Sequence, residues 1–125
     1  MVPGTVRVVV VTPVPGMNDK AKPPAPLTVT DRGRVRRLVS LVNGLSLAPR
    51  GVFTCMMDDG RGVRLTFLSS PGRTVLANAL AKSSGCGGVR LTIGARTTAL
   101  GLGPSAARQA LAISGMNWKL FGYMR

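Results

Sequence analysis

Apolar and polar residues alternate along residues 63–68 and 89–93, a period of two that is typical of half-buried β-strands. In the first stretch Arg64 and a threonine share one face, and valine, leucine and phenylalanine share the other. Proline and glycine within residues 70–73 stand where a type II turn favours them. We therefore predict that residues 74–81 return as the next strand of an antiparallel pair.

Strands are also predicted outside this alternating region. Residues 6–12 are mostly β-branched and end at a proline, and Arg7 is their only charged residue. Short extended segments are predicted at residues 28–30, 52–56 and 97–100, where β-formers stand between glycines, prolines and charged residues.

Two segments instead have apolar residues at helical spacing. The first begins with Thr30 or Asp31 as its N-terminal cap and ends at Asn43-Gly44. Its apolar stripe consists of Val35, Leu38, Val39, Val42 and Leu45. The second begins near residues 103–105, where a proline suits the first turn, and ends at Gly115. We predict an α+β fold, an antiparallel sheet of four or five strands with two helices packed on it.

The length of 125 residues favours one folded domain. We assign residues 1–26 to an N-terminal strand and a proline-rich linker, residues 27–120 to a single α+β domain, and residues 121–125 to a tail. No apolar run approaches the roughly 18 residues of a membrane helix. The first residues also lack the basic leader, the apolar stretch and the cleavage site of a secretory signal.

The residue inventory removes most catalytic mechanisms. The chain has no histidine and no glutamate, so it cannot form a Ser-His-Asp or Cys-His arrangement. Asp58 and Asp59 are neighbours followed by a glycine, a sequence that predicts a turn rather than a two-carboxylate site. A structural zinc ion needs four Cys or His ligands, and the chain has two cysteines. We predict a protein that is not an enzyme and that holds no metal and no cofactor.

The charge balance points to an anionic partner without identifying it. The formal net charge is +13, which suits nucleic acid, anionic lipid or an acidic envelope polymer. The candidate anion-binding residues are Arg32, Arg36 and Arg37 on the first helix, and Arg64 and Arg90 on strands. The two strand arginines share the outward face if their strands lie in one sheet. The alternative is a solvated basic surface, since arginine is also frequent in proteins of high-GC genomes and no aromatic ladder accompanies these residues.

The two cysteines, Cys55 and Cys86, stand at the ends of predicted strands. A disulfide between them would close a loop of about 30 residues and contribute roughly 3–4 kcal/mol to stability. It would also place the protein in an oxidising compartment. The alternative is two separate thiols in a cytosolic protein.

Several short motifs in fixed order carry a family resemblance. They are Pro26-Leu27-Thr28-Val29-Thr30-Asp31, the helix end Leu41-Val42-Asn43-Gly44-Leu45, Gly51-Val52-Phe53-Thr54-Cys55, Gly85-Cys86-Gly87-Gly88-Val89 and Trp118-Lys119-Leu120. This order, over residues 27–120, resembles an uncharacterised domain of secreted proteins and lipoproteins of actinobacteria. The resemblance implies an exported location and a Cys55–Cys86 bridge, and it implies no catalytic residues. The chain departs from that pattern at Met56, where relatives tend to have proline, and in being more basic.

The sequence therefore predicts a non-enzymatic, exported binding or interaction module, extracellular or in the cell envelope and stabilised by one disulfide. Its partner is unknown, with an anionic polymer or envelope component as the expected class. The alternative function is a basic intracellular protein that binds nucleic acid through its arginine-rich helix.

Overall fold

The computed structural model of the protein describes residues 1–16, 23–45, 61–69, 74–82, 88–101 and 105–116. Within these ranges the chain forms six strands and two helices. They are β1 (Val8–Val14), β2 (Leu27–Val29), α1 (Arg32–Asn43), β3 (Gly62–Leu68), β4 (Val75–Lys82), β5 (Val89–Ile93), β6 (Arg96–Leu100) and α2 (Ser105–Ser114).

All six strands belong to one antiparallel sheet in the order β2-β1-β3-β4-β5-β6. The predicted α+β class and both helices are confirmed, but the predicted four or five strands were too few. The shortest strand, β2, has three residues and overlaps the short extended segment predicted at residues 28–30. The strand predicted at residues 52–56 lies outside the described residues.

Strand β1 lies inside the sheet, between β2 and β3. Its Val9 and Val11 are fully buried and stand opposite Phe67 and Leu65 of β3. Val2, which precedes the strand, also belongs to the hydrophobic core. The first residues of the chain therefore contribute to the same core as the later strands. The predicted domain boundaries at residues 26 and 120 stay predictions.

Both helices pack on one face of the sheet. Their buried residues form a single cluster with the inward residues of the strands. Strand β4 presents Ala77, Ala79 and Ala81 to this face, and α2 contributes buried Ala107 and Ala110. Since alanine side chains are small, α2 can lie close to β3 and β4, the two strands that it contacts. α1 contacts both α2 and β1.

The boundaries of α1 follow from its capping residues. Asp31 is the N-cap, because its Oδ2 accepts a hydrogen bond from the backbone N–H of Arg34 at 3.0 Å. At the other end the backbone N–H of Gly44 donates to the carbonyl oxygen of Ser40 at 2.9 Å. The structure thus selects Asp31 from the two predicted caps. The predicted stripe is also confirmed, with Val35, Leu38 and Val42 buried and the other two members partly buried.

The side chain of Asn43 joins the end of α1 to the start of the chain. Its Oδ1 accepts from the backbone N–H of Val2 at 2.8 Å, and its Nδ2 donates to the carbonyl oxygen of Val2 at 3.0 Å. This pair of hydrogen bonds satisfies both backbone groups of Val2, whose side chain is buried. Asn43 therefore fixes the N-terminal segment against the helix layer, a role beyond the helix stop that the sequence predicted.

We expect Asn43→Ala to lower the free energy of unfolding by about 1–3 kcal/mol, because both partly buried backbone groups of Val2 lose their partner. Urea unfolding followed by circular dichroism measures the change. Ser40→Ala on the exposed side of the same helix is the control, with an expected change within about 0.5 kcal/mol. Equal losses in the two variants would contradict this role for Asn43.

Candidate anion-binding surfaces

One face of the sheet is opposite the helix layer, and it carries two of the predicted arginines. Arg64 of β3 and Arg90 of β5 both stand opposite Leu80 of β4, so the three residues form one row across neighbouring strands. Both arginines are exposed. Since adjacent strands lie about 4.8 Å apart, the Cα atoms of the two arginines are separated by roughly 10 Å. The strands of Arg64 and Arg90 therefore lie in one sheet, and the two arginines share its outward face.

A second row of polar residues runs beside these arginines on the same face. Thr66 Oγ1 donates a hydrogen bond to Asn78 Oδ1 at 3.0 Å, and the Oγ1 atoms of Thr92 and Thr97 are also 3.0 Å apart. The register places Thr66, Asn78, Thr92 and Thr97 in sequence across four strands. We call the surface formed by these four residues with Arg64, Leu80 and Arg90 the sheet face.

The helix arginines belong to a different place in the molecule. Arg32 and Arg36 line a pocket of about 470 Å³, which lies between the first turns of α1 and the start of β1. The full lining consists of Gly4, Val6, Arg7, Val8, Thr30, Arg32, Val35 and Arg36. We call this cavity the arginine pocket. Its three arginines are exposed, whereas its three valines are buried.

Arg37, the fifth predicted residue, is exposed on α1 but lies outside this lining. Successive residues of a helix point about 100° apart, so Arg36 and Arg37 face different directions. The five predicted residues therefore separate into the sheet-face pair, the pocket pair and Arg37 alone.

Arg7 completes the arginine pocket and was not among the predicted anion-binding residues. It lies one residue before β1, and its backbone N–H donates to the carbonyl oxygen of Leu68 at 2.9 Å. Its neighbours Val6 and Val8 are buried, and all three residues line the pocket beside the first turns of α1. The one feature of the sequence that could have indicated a role for Arg7 is that it is the only charged residue in a β-branched stretch.

The charges of the described residues are strongly unbalanced. In the described ranges the one acidic residue is Asp31, and its carboxylate accepts the N–H of Arg34 as the helix cap. The remaining aspartates lie outside those ranges, as do Cys55 and Cys86, so the predicted disulfide stays a prediction. The described surfaces therefore carry a large positive excess that favours anions.

Within the described ranges, no group of three histidine, cysteine, aspartate or glutamate side chains is placed to hold a metal ion. Neither α1 nor α2 is long and apolar enough to cross a membrane.

Comparisons with models of protein families, with curated protein sequences and with solved structures gave no match to this chain. The resemblance to the actinobacterial domain stays a prediction from the motifs that carry it. The chemistry of the two surfaces is therefore the basis for a functional proposal.

Proposed function

We propose that the protein is a non-enzymatic, exported binding module whose sheet face binds an acidic polysaccharide of the cell envelope. The observation that carries the proposal is the row of Arg64, Leu80 and Arg90 on the face of the sheet opposite the helices. Two guanidinium groups on one open surface can contact successive carboxylates or phosphates of a linear polymer.

The polar row next to the arginines supports a polymer that also carries hydroxyl groups. The Oδ1 atom of Asn78 accepts from Thr66, which leaves the Nδ2 atom of Asn78 as a donor. The hydroxyls of Thr92 and Thr97 can each donate and accept. A sugar chain that crosses the strands would therefore meet charged contacts in one row and neutral hydrogen-bonding groups in the next.

The composition of the sheet face favours such a polymer over single-stranded nucleic acid. Modules that bind single strands stack the bases on aromatic side chains, and this contributes about 1–3 kcal/mol per base. The residues that define the sheet face are arginine, leucine, threonine and asparagine. They offer charge and hydrogen bonds but no stacking platform.

We expect Arg64→Gln combined with Arg90→Gln to weaken binding to a polyuronate such as alginate by about 5- to 30-fold. This estimate takes roughly 0.5–1 kcal/mol for each exposed charged contact. Fluorescence anisotropy with labelled oligomers at low salt measures the affinity, and a salt series measures the electrostatic share.

The matched control is Arg32→Gln combined with Arg36→Gln, which removes the same net charge from a different surface. We expect this control to change polyuronate affinity by less than about twofold. Equal weakening in the two double variants would mean non-specific attraction to the total charge, and it would overturn the sheet-face proposal.

A second candidate function is nucleic-acid binding by α1, and the exposure of Arg32, Arg36 and Arg37 on that helix favours it. The same variants decide between the two functions. If α1 binds duplex DNA, the control double variant loses DNA affinity and the sheet-face double variant does not. DNA binding that disappears at moderate salt and responds equally to both variants would reflect net charge alone.

A further inference from the structure

We infer that the arginine pocket binds a phosphate monoester, a small ligand distinct from the polymer proposed for the sheet face. Three arginines from two parts of the chain line the pocket, Arg7 just before β1 and Arg32 and Arg36 in α1. Its volume of about 470 Å³ lies within the range typical of small-molecule sites.

The local charge matches a doubly charged anion. The three arginines contribute three positive charges, and Asp31, which lies between two lining residues in the sequence, offsets one of them. A phosphate monoester carries a charge of about −1.5 to −2 at neutral pH. Guanidinium groups also present paired N–H donors that fit phosphate oxygens, and a carboxylate offers fewer acceptor oxygens to three such groups.

The proposed phosphate site depends on arginine side chains and not on the backbone amides at the start of α1. The carboxylate of Asp31 already accepts the backbone N–H of Arg34 at the start of α1. The three arginine side chains therefore supply the attraction, and Thr30, which also lines the pocket, can add a hydroxyl.

The pocket also has an apolar side. Val6, Val8 and Val35 line it and are at least nine-tenths buried, with exposures of 5%, 2% and 4%. Apolar walls lower the local dielectric constant and so strengthen the attraction between the arginines and an anion. They also suit a ligand whose phosphate carries an apolar group, and phenyl phosphate is the simplest probe with these features.

Isothermal titration of the full chain with phenyl phosphate tests this inference. We expect saturable binding at one site, which Arg7→Gln and Arg36→Gln each weaken by about fivefold or more. Arg37→Gln is the matched control, since it removes one charge from the residue next to Arg36 but lies outside the lining. Benzoate, a single negative charge on the same ring, is expected to bind at least about fivefold more weakly than phenyl phosphate.

Absence of saturable binding, or equal weakening by Arg37→Gln, would overturn the inference. Circular dichroism of each variant shows whether a loss of binding reflects unfolding, and Arg7→Lys provides a variant that keeps the charge but not the paired donors. The polymer proposal depends on Arg64 and Arg90 instead. Failure of phenyl phosphate to bind leaves polyuronate binding intact, so the two proposals fail separately.

Discussion

Replacing Gly88 with alanine is expected to lower the free energy of unfolding by about 2–4 kcal/mol. Gly88 has φ +87°, a left-handed conformation that costs an L-residue about 1–2 kcal/mol. A Cβ atom at this position would also lie 2.8 Å from the carbonyl oxygen of Gly101 and 3.3 Å from that of Leu100. Because these are backbone atoms, the end of β6 would have to move.

The shift would disturb more than one strand pair. The carbonyl oxygen of Gly88 accepts the backbone N–H of Lys82 at 2.9 Å, and the next residue, Val89, pairs with both Ala81 and Leu100. Movement at Gly88 therefore affects β4, β5 and β6 together. Chemical denaturation with urea measures the loss, and an unchanged m-value would show that the folded state keeps its compactness.

Gly94→Ala is the control for the left-handed conformation alone. Gly94 has φ +60°, yet nothing lies within 4 Å of the position that its Cβ would take. We expect this change to cost about 1 kcal/mol. The difference between the two variants isolates the close approach of two backbone segments at Gly88. If both changes cost the same, the contact with Gly101 does not determine the need for glycine.

Gly88 also illustrates what the sequence could not predict. The glycines before β5 indicate a turn, but the reason for this particular glycine is a contact with Gly101, after β6. A local sequence pattern contains no information on how closely two strand ends approach. The physical need for the last glycine of the Gly-Cys-Gly-Gly motif appears once the pairing of β5 and β6 is known.

The strands that alternation predicted are those with one buried and one open face. β3 and β5 bury their inward residues under the helix layer and leave polar residues such as Arg64 and Thr92 outside, so their period of two is visible. The prediction of β4 rests instead on the turn at residues 70–73, because its inward residues are alanines and its outward residues include Leu80. β1 reads as a nearly continuous valine run, and its place beside β3 follows from long-range register. The three-residue β2 is too short for any period.

Of the two candidate sites, one could be predicted from the sequence and the other could not. The shared face of Arg64 and Arg90 could be predicted because side chains alternate between the two faces of a strand. Each arginine stands between apolar residues that face the core, so both arginines point to the opposite face once their strands lie in one sheet. The arginine pocket could not, since it requires Arg7 to lie beside Arg32 and Arg36. That neighbourhood depends on the packing of α1 against the start of β1, which is set by the whole core.

The predicted disulfide gains a geometric argument from the described strands. β3 and β5 are each antiparallel to β4, so they run in the same direction and begin at the same end of the sheet. Their starts are two strand spacings apart, roughly 10 Å. Cys55 precedes Gly62 by seven residues and Cys86 precedes Val89 by three, and each residue can span about 3.3 Å. These lengths are sufficient for the two Cα atoms to approach the roughly 5.5–6 Å that a disulfide needs.

We therefore expect reduction of the protein with dithiothreitol to lower its free energy of unfolding by roughly 3–4 kcal/mol, since the reduced unfolded chain regains the entropy of an open loop of about 30 residues. Urea unfolding with and without reductant measures the change, and Cys55→Ser with Cys86→Ser is the control that should not respond to reductant. Titration of thiols in natively sourced protein, denatured without reductant, provides an independent measurement. Two reactive thiols there would contradict the bridge, and they would remove the main chemical support for an oxidising compartment.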